Sequence, residues 1–205
     1  MLAANYGLRV NTIVGDQLSE VVEILEKVNN SSPLINKRWV VQHVARANKH
    51  DLLRLRAMGI LVTTIPVYYL WKGGDWYKNE KDLGESVVPL KTMLSLGLLA
   101  SAGTDNIPFD PLFTMQCMME RKERTDGYVI GAGQRLTGIE ALKLLTQDGA
   151  WLSFDENRKG ILKAGYFADL TVMSDNPCKF NPASFEKIQC LMTVVGGKIV
   201  HNEFD

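Results

Sequence analysis

Apolar and polar residues alternate in blocks along the first hundred residues of the chain. Four short apolar runs predict β-strands, and they lie at 8–14, 38–43, 60–65 and 98–102. Three stretches with apolar residues at helical spacing predict helices, and they lie at 17–29, 48–58 and 87–96. Strands and helices in this alternating order are typical of a parallel sheet with right-handed crossovers. The pattern therefore predicts an α/β fold, and the small apolar residues of the last run predict a strand buried on both faces.

The middle of the chain departs from this simple alternation. A long loop rich in aromatic residues is expected at 67–86, and a further helix is expected at 112–123. Thr137, with Glu140 three residues later, predicts a capping box that opens a helix over 139–146. These features predict a continued α/β body after the fourth strand.

The last fifty residues predict a small β module. Residues 151–154 are expected to be extended, and from there on short apolar runs are separated by glycine turns. The pair Gly196–Gly197 predicts the turn of a hairpin between strands at 188–195 and 198–201. Composition therefore divides the chain into two predicted domains, at 1–150 and 151–205.

Two glycine positions outside this module change the interpretation. Residues 1–8 resemble the last turn of a helix that stops at Gly7, so we expect the chain to begin within a fold. The loop Gly131-Ala-Gly133 lacks a third glycine and a preceding strand, so it does not predict a dinucleotide site.

Charge and composition exclude some classes of partner. The chain carries 23 Lys and Arg against 23 Asp and Glu, so its formal net charge is zero. Proteins that bind nucleic acid without sequence preference, or anionic membranes, need a basic excess, so we expect neither partner. A zero net charge leaves little repulsion between copies and favours self-association. Three widely spaced cysteines, with no signal peptide and no apolar run of transmembrane length, predict a cytoplasmic protein with reduced thiols.

Two polar residues stand at predicted carboxyl ends of strands. His43 closes the second strand, and Asp105 follows the fourth. In α/β folds, catalytic and metal-binding groups collect at the edge where parallel strands end, so we expect both side chains there. Two plainer interpretations stay open. Asp105 could cap a turn or a helix before Pro108 and Pro111, and His43 could be a hydrogen-bonded core residue.

A set of short motifs resembles the amidohydrolase superfamily. The motifs are Leu136-Thr-Gly-Ile-Glu-Ala-Leu, Thr146, Gly149-Ala150, Lys159-Gly-Ile-Leu, Gly165-Tyr-Phe-Ala-Asp-Leu, Val172, Asn176-Pro177 and Thr193-Val-Val-Gly-Gly-Lys-Ile-Val. They are most similar to the branch that holds D-aminoacylases and N-substituted formamide deformylases. Tyr166 replaces the lysine that is usual there, in a predicted surface turn. The resemblance covers the chain from the fifth barrel strand of that family onward.

This resemblance implies the C-terminal half of a (β/α)8 TIM-like barrel of the metal-dependent hydrolase type, with a small β-sandwich module. The four predicted strands then look like barrel strands five to eight. His43 matches a metal-ligating histidine. Asp105 matches an aspartate that binds the metal, takes a proton from the metal-bound water and passes it to the leaving nitrogen. The implied cofactor is a divalent metal, with zinc as first choice, and the implied substrate is a small molecule with a non-peptide, amide-type C–N bond.

The chain departs from the family pattern in two ways. Thr12, or Asn11 if the loop is shifted, stands where the family has a histidine, and neither is a good zinc ligand. The His-x-His of the family's first strand and its bridging ligand are absent from this chain. His50, on a predicted helix, and His201, near the C terminus, do not replace them. One histidine and one aspartate leave a metal site incomplete, because even catalytic zinc needs three protein ligands.

The motifs leave two hypotheses about function. In the first, the parent protein is a metal-dependent hydrolase whose substrate contacts Tyr69, Trp71 and Asn106, although the aromatic loop could simply pack over the barrel mouth. In the second, the chain is an inactive scaffold or ligand-binding fragment. Four strands do not close a barrel, so we expect bare strand edges and inner faces to be covered by self-pairing, as a homodimer or higher homo-oligomer. A doubly wound binding protein is a third interpretation, disfavoured by the terminal β module.

Overall fold

The computed structural model describes residues 1–78, 81–105, 108–179, 185 and 187–204, with the backbone alone for 81–83. The chain divides into two compact units, Met1–Leu136 and Thr137–Asp205. This grouping puts residues 137–150 with the C-terminal unit. The division into domains at 1–150 and 151–205 stays a prediction.

The first unit is built on a four-stranded parallel sheet. Its strands, in their order across the sheet, are β1 (Asn11–Ile13), β2 (Val40–Gln42), β3 (Leu61–Thr64) and β4 (Ala100–Ala102). The register pairs Thr12 with Val41, Val41 with Val62, and Thr63 with Ser101. The four predicted strands and their parallel pairing are confirmed, each strand being shorter than the apolar run that predicted it.

Some of the α-helices of this unit begin or end at residues that the sequence marks. They are α1 (Leu2–Asn5), α2 (Leu18–Ser31), α3 (Lys49–Ala57), α4 (Leu90–Ser95) and α5 (Pro111–Glu120). The Asn48 side chain caps α3 by accepting from the Asp51 amide at 2.8 Å. Gly7 and Gly59, with φ of 68° and 69°, follow α1 and α3 in the left-handed conformation that stops a helix. No helix in the described ranges is long and apolar enough to cross a membrane.

The segment predicted as a long aromatic loop is helical, so that prediction was wrong. It contains a π-helix (Val67–Lys72) and two 3-10 helices (Gly74–Tyr77 and Lys81–Ser86). Tyr69 and Leu70 are buried in the π-helix, whose first residue follows Pro66. The sequence shows no helical spacing here, but burial of the Tyr69 and Leu70 side chains stabilises tight helical turns instead.

Strands β2 to β4 are buried on both faces. Val40 and Val41 are neighbours whose side chains point to opposite faces, and each is 1% exposed. Leu61 and Val62 in β3 are buried in the same way, as are all three residues of β4. The expectation of bare inner faces is therefore wrong for these strands. It holds only at β1, where Asn11 is exposed and Ile13 is 66% exposed.

The second unit contains two helices and an antiparallel sheet. The helices are α6 (Gly138–Leu145) and α7 (Gln147–Leu152), and the strands, in sheet order, are β5 (Leu170–Met173), β6 (Cys190–Val195) and β7 (Lys198–Asn202). Gly196 and Gly197, with φ of 55° and 78°, form the predicted hairpin turn. Thr137 and Glu140 form the predicted capping box.

The extended segment predicted at 151–154 is wrong, because α7 runs to Leu152. Thr146 leaves the helical conformation and separates α6 from α7, after which the backbone resumes helical hydrogen bonds. A one-residue break of this kind has no sequence signal of its own, so the second helix was missed.

Candidate functional site

A polar side chain follows each strand of the parallel sheet. Asp16 and Asp105 each lie three residues after a strand, β1 and β4, whereas His43 directly follows β2 and Tyr69 lies in the π-helix after β3. Because the strands are parallel, all four lie beyond the same carboxyl edge. We call them the carboxyl-edge residues. His43 and Asp105 are thus at one edge, as expected, with β3 between their strands and about 10 Å between β2 and β4.

Left-handed backbone marks three of these strand ends. Gly15, after β1, has φ of 52°, His43 has φ of 58°, and Asp105 has φ of 52°. Histidine and aspartate are among the few residue types, besides glycine and asparagine, that enter this region at all readily. Such strained positions cluster at functional sites, where the surrounding contacts hold them in place.

The His43 side chain is half-buried, and none of the described residues hydrogen-bonds its imidazole. Its main-chain carbonyl accepts a hydrogen bond from the Tyr69 hydroxyl at 3.2 Å. A core histidine would have its ring nitrogens paired, so this ring is available to a ligand.

Asp105 is exposed, and it does not cap the following helix. The residue that caps α5 is Asp110, whose side chain accepts from the Leu112 amide at 2.7 Å. The helix-cap interpretation of Asp105 is therefore wrong. Asn106, the neighbouring residue expected to contact substrate, lies outside the described residues.

Tyr69 joins the site electrostatically as well as by its hydrogen bond. The residue is 8% exposed, and its ring meets Tyr68 edge-on at 5.1 Å between centroids. Burial raises the pKa of Tyr69 to about 12, and the negative charges of Asp16 and Asp105 contribute in the same direction. The phenol therefore stays protonated at neutral pH and acts as a donor.

Asp16 is the carboxyl-edge residue that sequence reasoning missed. Asp16 does not cap α2, because Gln17 occupies the N-cap position. The Asp16 carboxylate instead accepts from Arg46 Nε at 3.0 Å, on the segment after β2. Its position three residues beyond a strand, the same as that of Asp105, was the signal that could have found it.

Trp71 is held by packing contacts. Its ring meets Phe113 edge-on at 5.2 Å, and the Arg124 guanidinium lies 5.9 Å from its centroid. The main-chain carbonyl of Trp71 also accepts from the Arg124 amide at 3.1 Å. These contacts agree with the packing interpretation, and substrate binding by Trp71 and Tyr69 stays a prediction.

Comparison with known proteins decides the family. Residues 2–201 match the model of the amidohydrolase family. The chain belongs to the amidohydrolase family. YtcJ of Bacillus subtilis (strain 168), a protein named as an amidohydrolase, is 32% identical over 127 residues, which cover 60% of this chain and 24% of that protein. The N-substituted formamide deformylase of Arthrobacter pascens is 23% identical over 192 residues, 89% of this chain and 33% of that protein. This amidohydrolase chain thus spans 24% and 33% of the lengths of these two relatives.

Solved structures share the fold of the amidohydrolase chain. An uncharacterized metal-dependent hydrolase from Pyrococcus furiosus superposes with a TM-score of 0.62 and 21% identity, over 80% of this chain and 33% of that one. An adenosine deaminase from Xanthomonas campestris, with bound zinc, gives a TM-score of 0.66 and 14% identity, over 99% of this chain and 47% of that one. At these identities the likeness establishes an amidohydrolase-type α/β fold.

The amidohydrolase chain does not complete a metal site from its own described residues. Within the described ranges, no three His, Cys, Asp or Glu side chains lie close enough to hold a metal. His50 is exposed on α3 and His201 lies on β7, in the other unit. His43 and Asp105 would supply two ligands of the three that zinc needs, so the set present does not fit the ion by itself.

Proposed function

We propose that this chain is the C-terminal part of a metal-dependent amidohydrolase that cleaves a non-peptide, amide-type C–N bond in a small molecule. The observation that carries the proposal is that a member of this family has His43 and Asp105 beyond the same edge of its parallel sheet. The metal-dependent hydrolase and the zinc-containing deaminase that share its fold support a divalent metal as cofactor. The deformylase relative makes N-substituted formamides the first substrates to test.

In this proposal, the two residues have different tasks. The imidazole of His43 would ligate the metal, and the exposed carboxylate of Asp105 would be a second ligand. Asp105 would also accept a proton from the attacking water and return it to the nitrogen as the C–N bond breaks. A bound divalent metal would lower the pKa of water and polarise the amide carbonyl. The remaining ligands would come from outside this chain.

We also propose that the parallel sheet is half of a (β/α)8 barrel, closed by further strands. The open edge of β1, with Ile13 exposed beside it, supports such pairing. When this chain is studied alone, a homodimer is the simplest assembly in which a second copy supplies the four further strands. Sedimentation velocity should then give a dimer, whereas a monodisperse monomer at all concentrations would exclude it.

The alternative is a scaffold without catalysis. The absence of a three-residue metal cluster from the described part of the chain favours it. In this case the chain retains the family fold and binds at most a ligand at the carboxyl edge.

Metal content and hydrolysis separate the two. In the full-length parent protein, which would supply the remaining ligands, we expect near-stoichiometric zinc by elemental analysis in the wild type and in the control His50→Ala, and loss of zinc in His43→Ala. Hydrolysis of N-substituted formamides and N-acyl amino acids should fall at least about 100-fold in Asp105→Asn, the scale of a lost acid–base group. Wild-type protein with neither metal nor hydrolysis would support the scaffold.

A further inference from the structure

We infer that Tyr69 is a positioning residue whose hydroxyl holds the backbone of His43 and so sets the direction of its imidazole. The Tyr69 oxygen lies 3.2 Å from the His43 carbonyl oxygen, to which it donates. The inference rests on the proposed function in one respect, since it takes the His43 ring as the working group. It assigns the Tyr69 hydroxyl to a protein contact rather than to substrate.

The peptide unit between His43 and Val44 is held at both of its polar atoms. Its amide, on Val44, donates to the Thr63 carbonyl at 3.0 Å, and its carbonyl, on His43, accepts from Tyr69. The next carbonyl, of Val44, accepts from the buried Thr64 hydroxyl at 2.8 Å. These partners fix the plane of the peptide and therefore the ψ angle of His43.

Every partner in this clamp comes from β3 or from the helix that follows it. Thr63 and Thr64 lie in β3, and Tyr69 lies in the π-helix that begins three residues after the strand ends. The amide of Tyr69 donates to the Ile65 carbonyl at 3.2 Å, which ties the ring to the strand end. Because the ring is also buried, its hydroxyl is presented from a fixed position.

The clamp matters because the backbone of His43 is unusual and no described residue holds its ring. The φ angle of His43 is 58°, a conformation that a non-glycine residue keeps only under outside constraint. No hydrogen bond from a described residue orients the imidazole. The backbone conformation therefore fixes the Cα–Cβ direction, and with it the place where the ring meets a ligand.

The test compares Tyr69→Phe with the matched control Tyr68→Phe in the full chain, by NMR without metal. Tyr69→Phe removes one oxygen and keeps the buried ring, whereas the Tyr68 hydroxyl has no hydrogen bond among the described residues. We expect the His43 coupling constants and Cα shift that report positive φ to change in Tyr69→Phe alone. Exchange of the Val44 amide should become about tenfold faster in that variant, with the signals of His50 and His201 unmoved.

Unchanged His43 signals in Tyr69→Phe would overturn the inference. If the variant folds poorly, the wild type provides the measurement: the Tyr69 hydroxyl proton should exchange slowly with water and be visible by NMR. A hydroxyl proton in rapid exchange with water would also contradict the clamp.

A zinc titration then separates this inference from the proposed function. We expect zinc to shift the His43 ring signals of the wild type and of Tyr68→Phe at similar concentrations, and to need about tenfold more in Tyr69→Phe. If zinc shifts none of the three proteins, the metal role of His43 fails while the backbone result still decides the clamp. If it shifts all three equally, the clamp does not act on ligand binding and the inference fails.

Discussion

The two sheets of this chain expose their apolar residues very differently. Strands β2 and β3 bury neighbouring residues such as Val40 and Val41 on opposite faces, and β4 is buried throughout. Every residue of β5, β6 and β7 is at least partly exposed, and Ile199 is 59% exposed. Both regions are rich in β-branched residues, so strand propensity does not distinguish them. The two sheets differ in burial, because only the parallel sheet has strands that are covered on both faces.

This difference follows from the two kinds of pairing. A hairpin such as β6–β7 needs only a two-residue turn to bring its strands together, and Gly196–Gly197 supplies it. Parallel strands are joined by crossovers and are stable when both faces are covered. We therefore expect the parallel sheet to be the more sensitive to substitution, and the following experiments can sharpen or break that contrast.

We expect the largest loss of stability on substitution of Arg121, a buried cation in the parallel-sheet unit. Its guanidinium donates to three main-chain carbonyls, those of Ile130 at 2.6 Å, Val88 at 3.0 Å and Val87 at 2.6 Å. Burial lowers the pKa of Arg121 to about 10, so it remains charged at neutral pH. Arg121→Met should lower the free energy of unfolding by about 4 kcal/mol, because three buried carbonyls lose their donor.

Urea unfolding measures this change, and Arg135→Met is the matched control. Arg135 is exposed, and its Nε donates to the Glu120 carbonyl at 3.3 Å. The control should change the free energy of unfolding by less than about 0.5 kcal/mol. A similar small change in Arg121→Met would show that water replaces the lost donors, and that the interior of this unit is not closed.

A pair of identical substitutions tests the contrast between the sheets directly. Ile60, just before β3, is 1% exposed, and Ile199 in β7 is 59% exposed. Ile60→Ala should lower the free energy of unfolding by about 3 kcal/mol, because it leaves a cavity, and Ile199→Ala by about 0.5 kcal/mol. Urea unfolding followed by NMR signals of each unit gives both values. Equal losses would mean that another surface covers the antiparallel sheet in solution.

We expect a smaller loss of stability, which depends on pH, on substitution of Glu123. Burial alone would raise the pKa of Glu123, but hydrogen bonds from the amides of Asp126 and Thr125, each 2.7 Å away, and from Lys78 lower it overall. The charge therefore adds stability above the unfolded pKa of about 4.3, and this is lost as pH falls through the native pKa. Glu123→Gln should cost about 2 kcal/mol at pH 7.

The cost of Glu123→Gln should shrink when urea unfolding is repeated in acid below about pH 4, where the unfolded carboxylate is protonated. Glu23→Gln, at an exposed position of α2, is the control, with a change below about 0.5 kcal/mol at both pH values. A cost for Glu123→Gln that stays constant with pH would contradict a depressed pKa.

We expect the smallest difference in stability between two substitutions of His43, whose backbone is left-handed. Glycine accepts a φ of 58° without steric cost, whereas alanine does not. His43→Gly should therefore be more stable than His43→Ala by about 1 kcal/mol. The midpoints of thermal unfolding rank the two variants, and the reverse order would show that this backbone relaxes when the histidine is removed.

Much of the fold could be predicted because its signals are local. Apolar runs predicted all four parallel strands, and the capping box at Thr137 predicted the start of α6. The helical aromatic segment at 67–77 was not predictable in this way, because it depends on contacts with residues far along the chain, such as Trp71 with Phe113 and Tyr69 with His43. The ends of the strands also shifted, since hydrogen-bonded pairing rather than apolar character ends a strand.

The sequence could predict which residues lie at the candidate site, but it could not predict the contacts that they make. The rule that functional groups follow parallel strands found His43 and Asp105, and applied to β1 it would also have found Asp16. The bond between the Tyr69 hydroxyl and the His43 carbonyl joins residues 26 positions apart in the sequence. Nothing in either local sequence specifies it.

The sequence by itself determined the four parallel strands, the helices α2 to α4, the hairpin turn and the family, because these depend on the spacing of residue types along the chain. The tertiary structure alone decided which strands are buried on both faces, which carboxylate caps α5, and what holds the backbone of His43. The reason is physical: burial and long-range hydrogen bonds depend on distances in space, and these exist only after the crossovers have brought separate segments together.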